Sequence, residues 1–167
     1  MGQKYRRFPI KAKKAKKILE QASSKLSLNL EELVDSKEKI ESAETNSVQI
    51  ILVDNKPVLF KIENDYLPTL TFKEALERLP KAVVDMGAVP HVCNGADIMA
   101  PGIVRFEGQF QEDATIVIAE IKHNKPLALG TTIYNSQEIQ TIKKGAVIKN
   151  IHYVGDQIWD LTKNLIE

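Results

Sequence analysis

The sequence predicts an α+β protein in two parts: a first part of helices and a hairpin over residues 1–80, packed on a small curved β-barrel over residues 81–167. Three observations lead there. Apolar residues recur at helical spacing near the start, β-branched runs flank a turn at Asp54, and beyond Lys81 short apolar runs alternate with Gly, Pro and Asn. The balance of 43% hydrophobic and 27% charged residues in a chain of 167 is that of a globular protein, not a disordered one.

Ala15, Ile18, Leu19, Ala22 and Leu26 lie three and four apart, which predicts an amphipathic helix over 11–26. Lys13, Lys14, Lys16 and Lys17 fall mostly off that stripe. A shorter helix is expected after Asn29, with Glu32 placed to close a capping box and Leu30, Leu33 and Val34 as its buried side. The runs 48–53 and 58–62 predict a β-hairpin, because Asp54-Asn55-Lys56-Pro57 between them is turn chemistry. Thr71 and Glu74 form a second capping box ahead of Phe72, Ala75, Leu76 and Leu79, and Pro80 stops that helix. The domain boundary is placed there.

The runs 115–121, 127–133 and 146–151 predict strands of the barrel. Residues 136–143 read as a helical turn with Gly145 as its exit residue.

The formal net charge of +1 hides an asymmetry. Residues 1–19 hold eight Lys or Arg and no acid, and residues 20–45 hold seven acids against three lysines. Such a basic arm contacts phosphates or an acidic partner, or is a solvated helix face; composition leaves both open. The basic start lacks the apolar run of a secretory signal, and the single Cys93 suits a reducing compartment, so a cytoplasmic home is expected. No stretch approaches the ~20 apolar residues of a membrane span, so no membrane partner is expected.

His91 and Cys93 lack the further ligands that zinc spacing requires. No Walker A sequence and no Gly-x-Gly-x-x-Gly follows a strand, and neither Cys93 nor any serine reads as an activated nucleophile. The expectation is a protein without catalysis, cofactor or metal.

One ordered set of residues says more. It runs Val83-Val84-Asp85-Met86-Gly87-Ala88, Val92, then Asn94-Gly95-Ala96-Asp97-Ile98-Met99-Ala100-Pro101-Gly102-Ile103. It continues with Ala128-Leu129-Gly130, Ser136, Lys144-Gly145-Ala146-Val147, Ile151-His152-Tyr153, Gly155-Asp156 and Trp159. This set resembles the PUA domain, the module named for pseudouridine synthases and archaeosine transglycosylases. The resemblance implies a PUA β pseudo-barrel that binds RNA in a groove between its first helix, with the glycine loop, and its last strand. By position, His91, Asn94, Gly95, Ala96, Met99, Pro101, Gly102, Lys143, Lys144, Gly145 and Ala146 fall at that groove. Glycines let the backbone approach RNA closely, exposed N–H groups of the loop could donate to phosphate, and the two lysines suit phosphate contact. Lys13, Lys14, Lys16 and Lys17 are further candidates for phosphate. The blander readings stand beside these: the glycines as barrel turns, Val92, Ile98 and Met99 as core, Tyr153 and Trp159 as the seal of the barrel, His152 as a hydrogen-bonded structural histidine.

The whole chain, through Tyr66-Leu67-Pro68-Thr69-Leu70 and the tail from Lys144 to Trp159, resembles the malignant-T-cell-amplified-sequence or translation-machinery-associated family and its archaeal members. That resemblance implies an N-terminal pre-PUA domain. It also implies action on the small ribosomal subunit near the tRNA acceptor end, in initiation or recycling, with a partner that carries an initiation-factor-like domain. The partners expected are therefore structured RNA, ribosomal or transfer, and that protein. The rival readings are a ribosome-biogenesis factor on pre-rRNA, an accessory subunit that delivers RNA to a modification enzyme, and a protein-binding adaptor.

Overall fold

A basic, non-alternating segment becomes the first strand, because its arginines find acids on a neighbour. In the computed structural model, which describes residues 4–34 and 39–167, β1 (Arg6–Pro9) pairs antiparallel with β2 (Ile40–Glu44). Arg7 grips the buried Glu41 with two hydrogen bonds, Nε at 3.1 Å and Nη2 at 2.9 Å, while Arg6 meets Glu44 at 3.3 Å. The basic arm, expected to meet phosphates or an acidic partner or to be a solvated helix face, is thus in part a strand whose arginines pair with acids of this chain.

α1 (Ala12–Leu26) buries Ala15, Ile18, Leu19, Ala22 and Leu26, as its periodicity requires. It ends at Ser27 in the left-handed conformation, φ 55. The helix expected after Asn29 shrinks to one 3-10 turn, Leu30–Glu32. Asn29 makes no side-chain cap; the hydroxyl of Ser23 accepts the Leu30 N–H instead, at 3.1 Å. Leu30 is buried, but Leu33 and Val34 are only half-buried, so there is no apolar face to hold a longer helix.

The hairpin forms as β3 (Gln49–Val53) and β4 (Lys56–Ile62). Asp54 and Asn55, at φ 50 and 67, make a two-residue turn, so Lys56 and Pro57 belong to the strand rather than the turn. With β5 (Asp65–Pro68) these strands complete an antiparallel sheet in the order β1-β2-β3-β4-β5. α2 (Lys73–Leu76) is a single turn; Thr71 does not cap it but bonds the Thr69 hydroxyl at 3.2 Å.

The second unit, Leu79–Asp156, holds β6 (Lys81–Val84), α3 (Val89–Val92), β7 (Ile98–Met99), β8 (Ile103–Glu107), β9 (Thr115–Glu120), β10 (Pro126–Thr132) and β11 (Ala146–Tyr153). The sheet order is β7-β11-β10-β9-β6-β8, antiparallel except for the parallel pair β6 and β9. Its two edge strands, β7 and β8, are consecutive in the chain, joined by the 3-10 turn Ala100–Gly102. A sheet whose edges are that close along the chain must curl until they nearly meet, which is the pseudo-barrel. Bulges supply the curvature. At the one between Leu129 and Gly130, a Cβ on Gly130 would lie 2.3 Å from the Ile148 Cγ2 and 2.8 Å from the Lys149 carbonyl oxygen. Ala82, Val84, Val92, Ile98, Phe110, Ile116, Ile118, Ala128, Val147 and Ile148 fill the interior.

The chain then returns to the first unit. α4 (Gln157–Ile166) packs against β4, burying Leu161, Thr162 and Leu165, and the first unit is Met1–Arg78 together with Gln157–Glu167. The expected boundary at Pro80 assigns this segment to the barrel; the contacts of α4 assign it to the first unit. Trp159 is half-buried on α4, with the Lys163 ammonium 5.4 Å from its ring centre. Its amphipathic stripe allows either destination; the apolar face of the first unit takes it.

Candidate nucleic-acid interface

The glycine loop is held from both ends. After β6, the Asp85 carboxylate accepts the Ala88 N–H at 2.9 Å and starts the 3-10 turn Met86–Ala88 that leads into α3. Past α3 the backbone folds back on itself. Asn94 and Ala96 donate to the His91 carbonyl and Gly95 to that of Val92, each at 3.1 Å. Gly95 sits at φ +90, and an added Cβ would come 3.0 Å from the Tyr153 ring, so this turn needs glycine twice over. The expected phosphate-binding amides of Asn94, Gly95 and Ala96 are therefore already used inside the loop.

Asn150 of β11 fastens the loop to the last strand. Its side-chain amide donates to the carbonyls of Val92 at 3.0 Å and Ala96 at 2.9 Å, and its backbone N–H donates to Asp97 Oδ1 at 3.0 Å. The Ala100–Gly102 turn is likewise pinned on two sides: Ala100 N–H donates to the Gly145 carbonyl at 2.9 Å, and Asp85 N–H to that of Gly102 at 3.0 Å. Ala146 stands opposite Met99 in the β7–β11 pair.

Between α3, β7 and this turn lies a groove of about 520 Å³, lined by Asp85, Gly87, Ala88, His91, Val92, Ala96, Asp97, Ile98, Met99, Pro101 and Gly102. Of the residues the sequence placed at the interface, His91, Ala96, Met99, Pro101 and Gly102 line it. Asn94 and Gly95 form the loop behind Ala96; Ala146 reaches the groove's edge by pairing with Met99 and Gly145 by its carbonyl on the Ala100 N–H, whereas Lys144 is outside the groove lining. Lys143 lines a separate cavity on the far side of the Ala100–Gly102 turn. Met99 is 49% exposed and so is not core, whereas Val92 and Ile98 are buried. Gly102 is outside the left-handed region, and a Cβ there would meet the Ala88 methyl at 3.3 Å. Gly145, at φ +82, faces open space. Lys143 and Lys144 are exposed, as are Lys13, Lys14, Lys16 and Lys17 on α1 in the first unit. Burial pushes the half-buried Cys93 thiol up from its ordinary pKa, which disfavours the thiolate. His152 is fully buried, its Nδ1 2.8 Å from Asp156 Oδ2, as expected of a structural histidine.

Residues 80–154 match the PUA domain family, and residues 6–73 match a domain of unknown function, DUF1947. An uncharacterized protein of Methanocaldococcus jannaschii is 41% identical over 79% of this chain and 82% of its own length. Translation machinery-associated protein 20 of Eremothecium gossypii is 30% identical over 83% and 81%. The chain belongs to the PUA-domain family of translation-machinery-associated and malignant-T-cell-amplified-sequence proteins. A malignant T-cell-amplified sequence 1 homolog of Dictyostelium discoideum is 31% identical over 68% of this chain and 66% of its own. The crystal structure of a hypothetical protein from Pyrococcus horikoshii, 31% identical, superposes with a TM-score of 0.79 over 94% of this chain and 99% of that one.

In this PUA domain the residues that sequence reasoning passed over are positioning ones: Asp85, Asp97 and Asn150. Asn150 stood in the tail pattern, but nothing along the chain said that its amide reaches back to residue 92.

Proposed function

We propose that this chain is a non-catalytic, cytoplasmic RNA-binding protein of the translation apparatus that engages the small ribosomal subunit and the tRNA acceptor end during initiation or recycling. The observation that carries the RNA reading is the groove beside the glycine loop, fastened to β11 by Asn150, with the exposed Lys143 at the neighbouring cavity across the Ala100–Gly102 turn. The names of the relatives carry the translation reading.

In this reading RNA lies against His91, Ala96, Met99, Pro101 and Gly102, with the Asn94–Gly95 loop on one flank and Lys143, Lys144, Gly145 and Ala146 on the other. The largely apolar lining suits base faces and riboses. Because the loop amides are satisfied internally, phosphate contact falls to the lysines, including Lys13, Lys14, Lys16 and Lys17. Shape reading of an RNA end suits such a surface. The protein partner is one with an initiation-factor-like domain.

Gradient sedimentation of ribosomes, combined with crosslinking and sequencing of the bound RNA, tests this. The expected result is co-migration with mature small subunits and crosslinks at the acceptor end of tRNA. Co-migration with precursor subunits would move the protein to ribosome biogenesis, and recovery of a protein partner without RNA would remove the reading altogether.

A further inference from the structure

Across the Ala100–Gly102 turn from the groove lies a second cavity, of about 480 Å³, and Pro101 lines both. The two differ in charge. The groove carries the carboxylates of Asp85 and Asp97, with no Lys or Arg among the described residues that line it. The second cavity carries Arg105 and Lys143, with Gln140, and no carboxylate among the described residues that line it. Its walls include Phe106, Ile142 and Val147, and apolar walls sharpen the field of nearby cations.

Arg105 lies exposed on the edge strand β8, and its Nε donates to Glu107 Oε2 at 3.0 Å. Glu107 is outside the cavity lining. An exposed pair of this kind is weak, and it uses one of the five guanidinium N–H groups. The remaining fork matches a phosphate in bidentate fashion. Gln140 gives one amide N–H to the Ser136 carbonyl at 3.0 Å and keeps a second.

We infer that this second cavity is a phosphate-binding subsite, in which Arg105, Gln140 and Lys143 take a phosphodiester of the bound RNA. A single strand then crosses the ridge at Pro101, with its backbone over the cations and the adjoining base over the apolar groove. The carboxylates of Asp85 and Asp97 repel phosphate from the groove, so charge alone sorts backbone from base. The inference rests on the RNA-binding reading above and assigns roles to Arg105 and Gln140.

Binding of a short labelled oligoadenylate, and of a labelled hairpin with a single-stranded 3′ tail, is measured across a salt series. Arg105→Ala is expected to weaken both roughly fivefold to tenfold at low salt and to flatten the log–log salt line by about 0.7, one single-strand phosphate. Arg105→Lys keeps most of the slope while losing part of the affinity. The charge-balanced double variant Arg105→Ala, Glu107→Ala stays weak if contact rather than net charge is at work. Lys122→Ala, at an exposed position outside both cavities, stays near wild type. Equal melting midpoints exclude misfolding. An Arg105→Ala line that overlays wild type, or an equal loss in Lys122→Ala, overturns the subsite while RNA binding stands. Failure of the wild-type protein to bind either probe overturns both readings.

Discussion

Gly102 and Gly155 form a test pair because their backbones differ. Gly155 sits at φ +103 with nothing within 4 Å of an added Cβ, so Gly155→Ala costs about 1 kcal/mol of backbone strain and adds no contact. Gly102 lies outside the left-handed region, and its added methyl would meet the Ala88 methyl at 3.3 Å on the groove wall. Gly102→Ala should therefore change stability by less than about 1 kcal/mol, a small relaxation of Ala88, yet weaken RNA binding because the methyl narrows the groove. Thermal midpoints and affinities at matched folded concentration separate the two effects. Wild-type affinity in Gly102→Ala would take the RNA off that wall.

At the scale of elements, two contacts join segments that no local pattern links. Asn150→Ala removes the side-chain donor to the Val92 and Ala96 carbonyls, of which Val92 keeps the Gly95 N–H, a loss of about 1–3 kcal/mol. The effect should concentrate in the glycine loop: hydrogen exchange at Asn94, Gly95 and Ala96 speeds up more than in β9 and β10. Uniform acceleration would mean that Asn150 supports the whole barrel instead. In the first unit, the hydrogen bond from Arg7 holds the Glu41 carboxyl below the usual carboxylate range, with the nearby charges of Arg7 and Lys39 adding to it. A carboxylate depressed in the folded state contributes stability above its unfolded pKa, about 4.3, and that contribution fades as pH falls through the folded value. Glu41→Gln should thus be less stable than wild type at neutral pH, and the gap should narrow below about pH 4.3. Denaturant midpoints against pH read this directly, and a gap that stays constant into acid removes Glu41 as the source.

For the molecule as a whole, the path of the chain predicts what can be separated. The second unit, Leu79–Asp156, is continuous in sequence, whereas the first is closed by α4 from the far end of the chain. Residues 79–156 should fold alone with a cooperative transition. Residues 1–78 should not match the full protein's first unit, because removing α4 uncovers the surface that buries Leu161 and Leu165. Circular dichroism of the two fragments decides it, and a cooperative, soluble 1–78 would show α4 dispensable. On α1 of the first unit, Lys13, Lys14, Lys16 and Lys17 changed together to Gln keep helix propensity and remove charge. RNA or ribosome binding should weaken several-fold at an unchanged melting temperature, with a flatter salt dependence. Unaltered binding returns these lysines to an ordinary solvated face.

Neighbours along the chain fix the local elements. α1 follows from apolar spacing, the β3–β4 hairpin from Asp54 and Asn55, and β9, β10 and β11 from short apolar runs between turn residues. The ordered glycine motif also led to the PUA domain and its groove. Contacts between distant segments fix the rest. β1 lacks apolar alternation and is held in part by Arg7 on Glu41, 34 residues away; the groove wall is held by Asn150 on Val92, 58 residues away. Asn29 and Thr71 carry capping chemistry, but neither side chain caps: the Ser23 hydroxyl takes the Leu30 N–H, Thr71 bonds the Thr69 hydroxyl, and Pro80 stops the segment that buries Phe72, Ala75, Leu76 and Leu79. α4 has a stripe that fits more than one surface, and the first unit claims it. The loop amides carry no sign in sequence that they turn inward, nor does Pro101 that it divides an acidic groove from a cationic cavity. Local geometry depends on residues a few positions apart, while pairing, burial and charge separation depend on which distant segments meet.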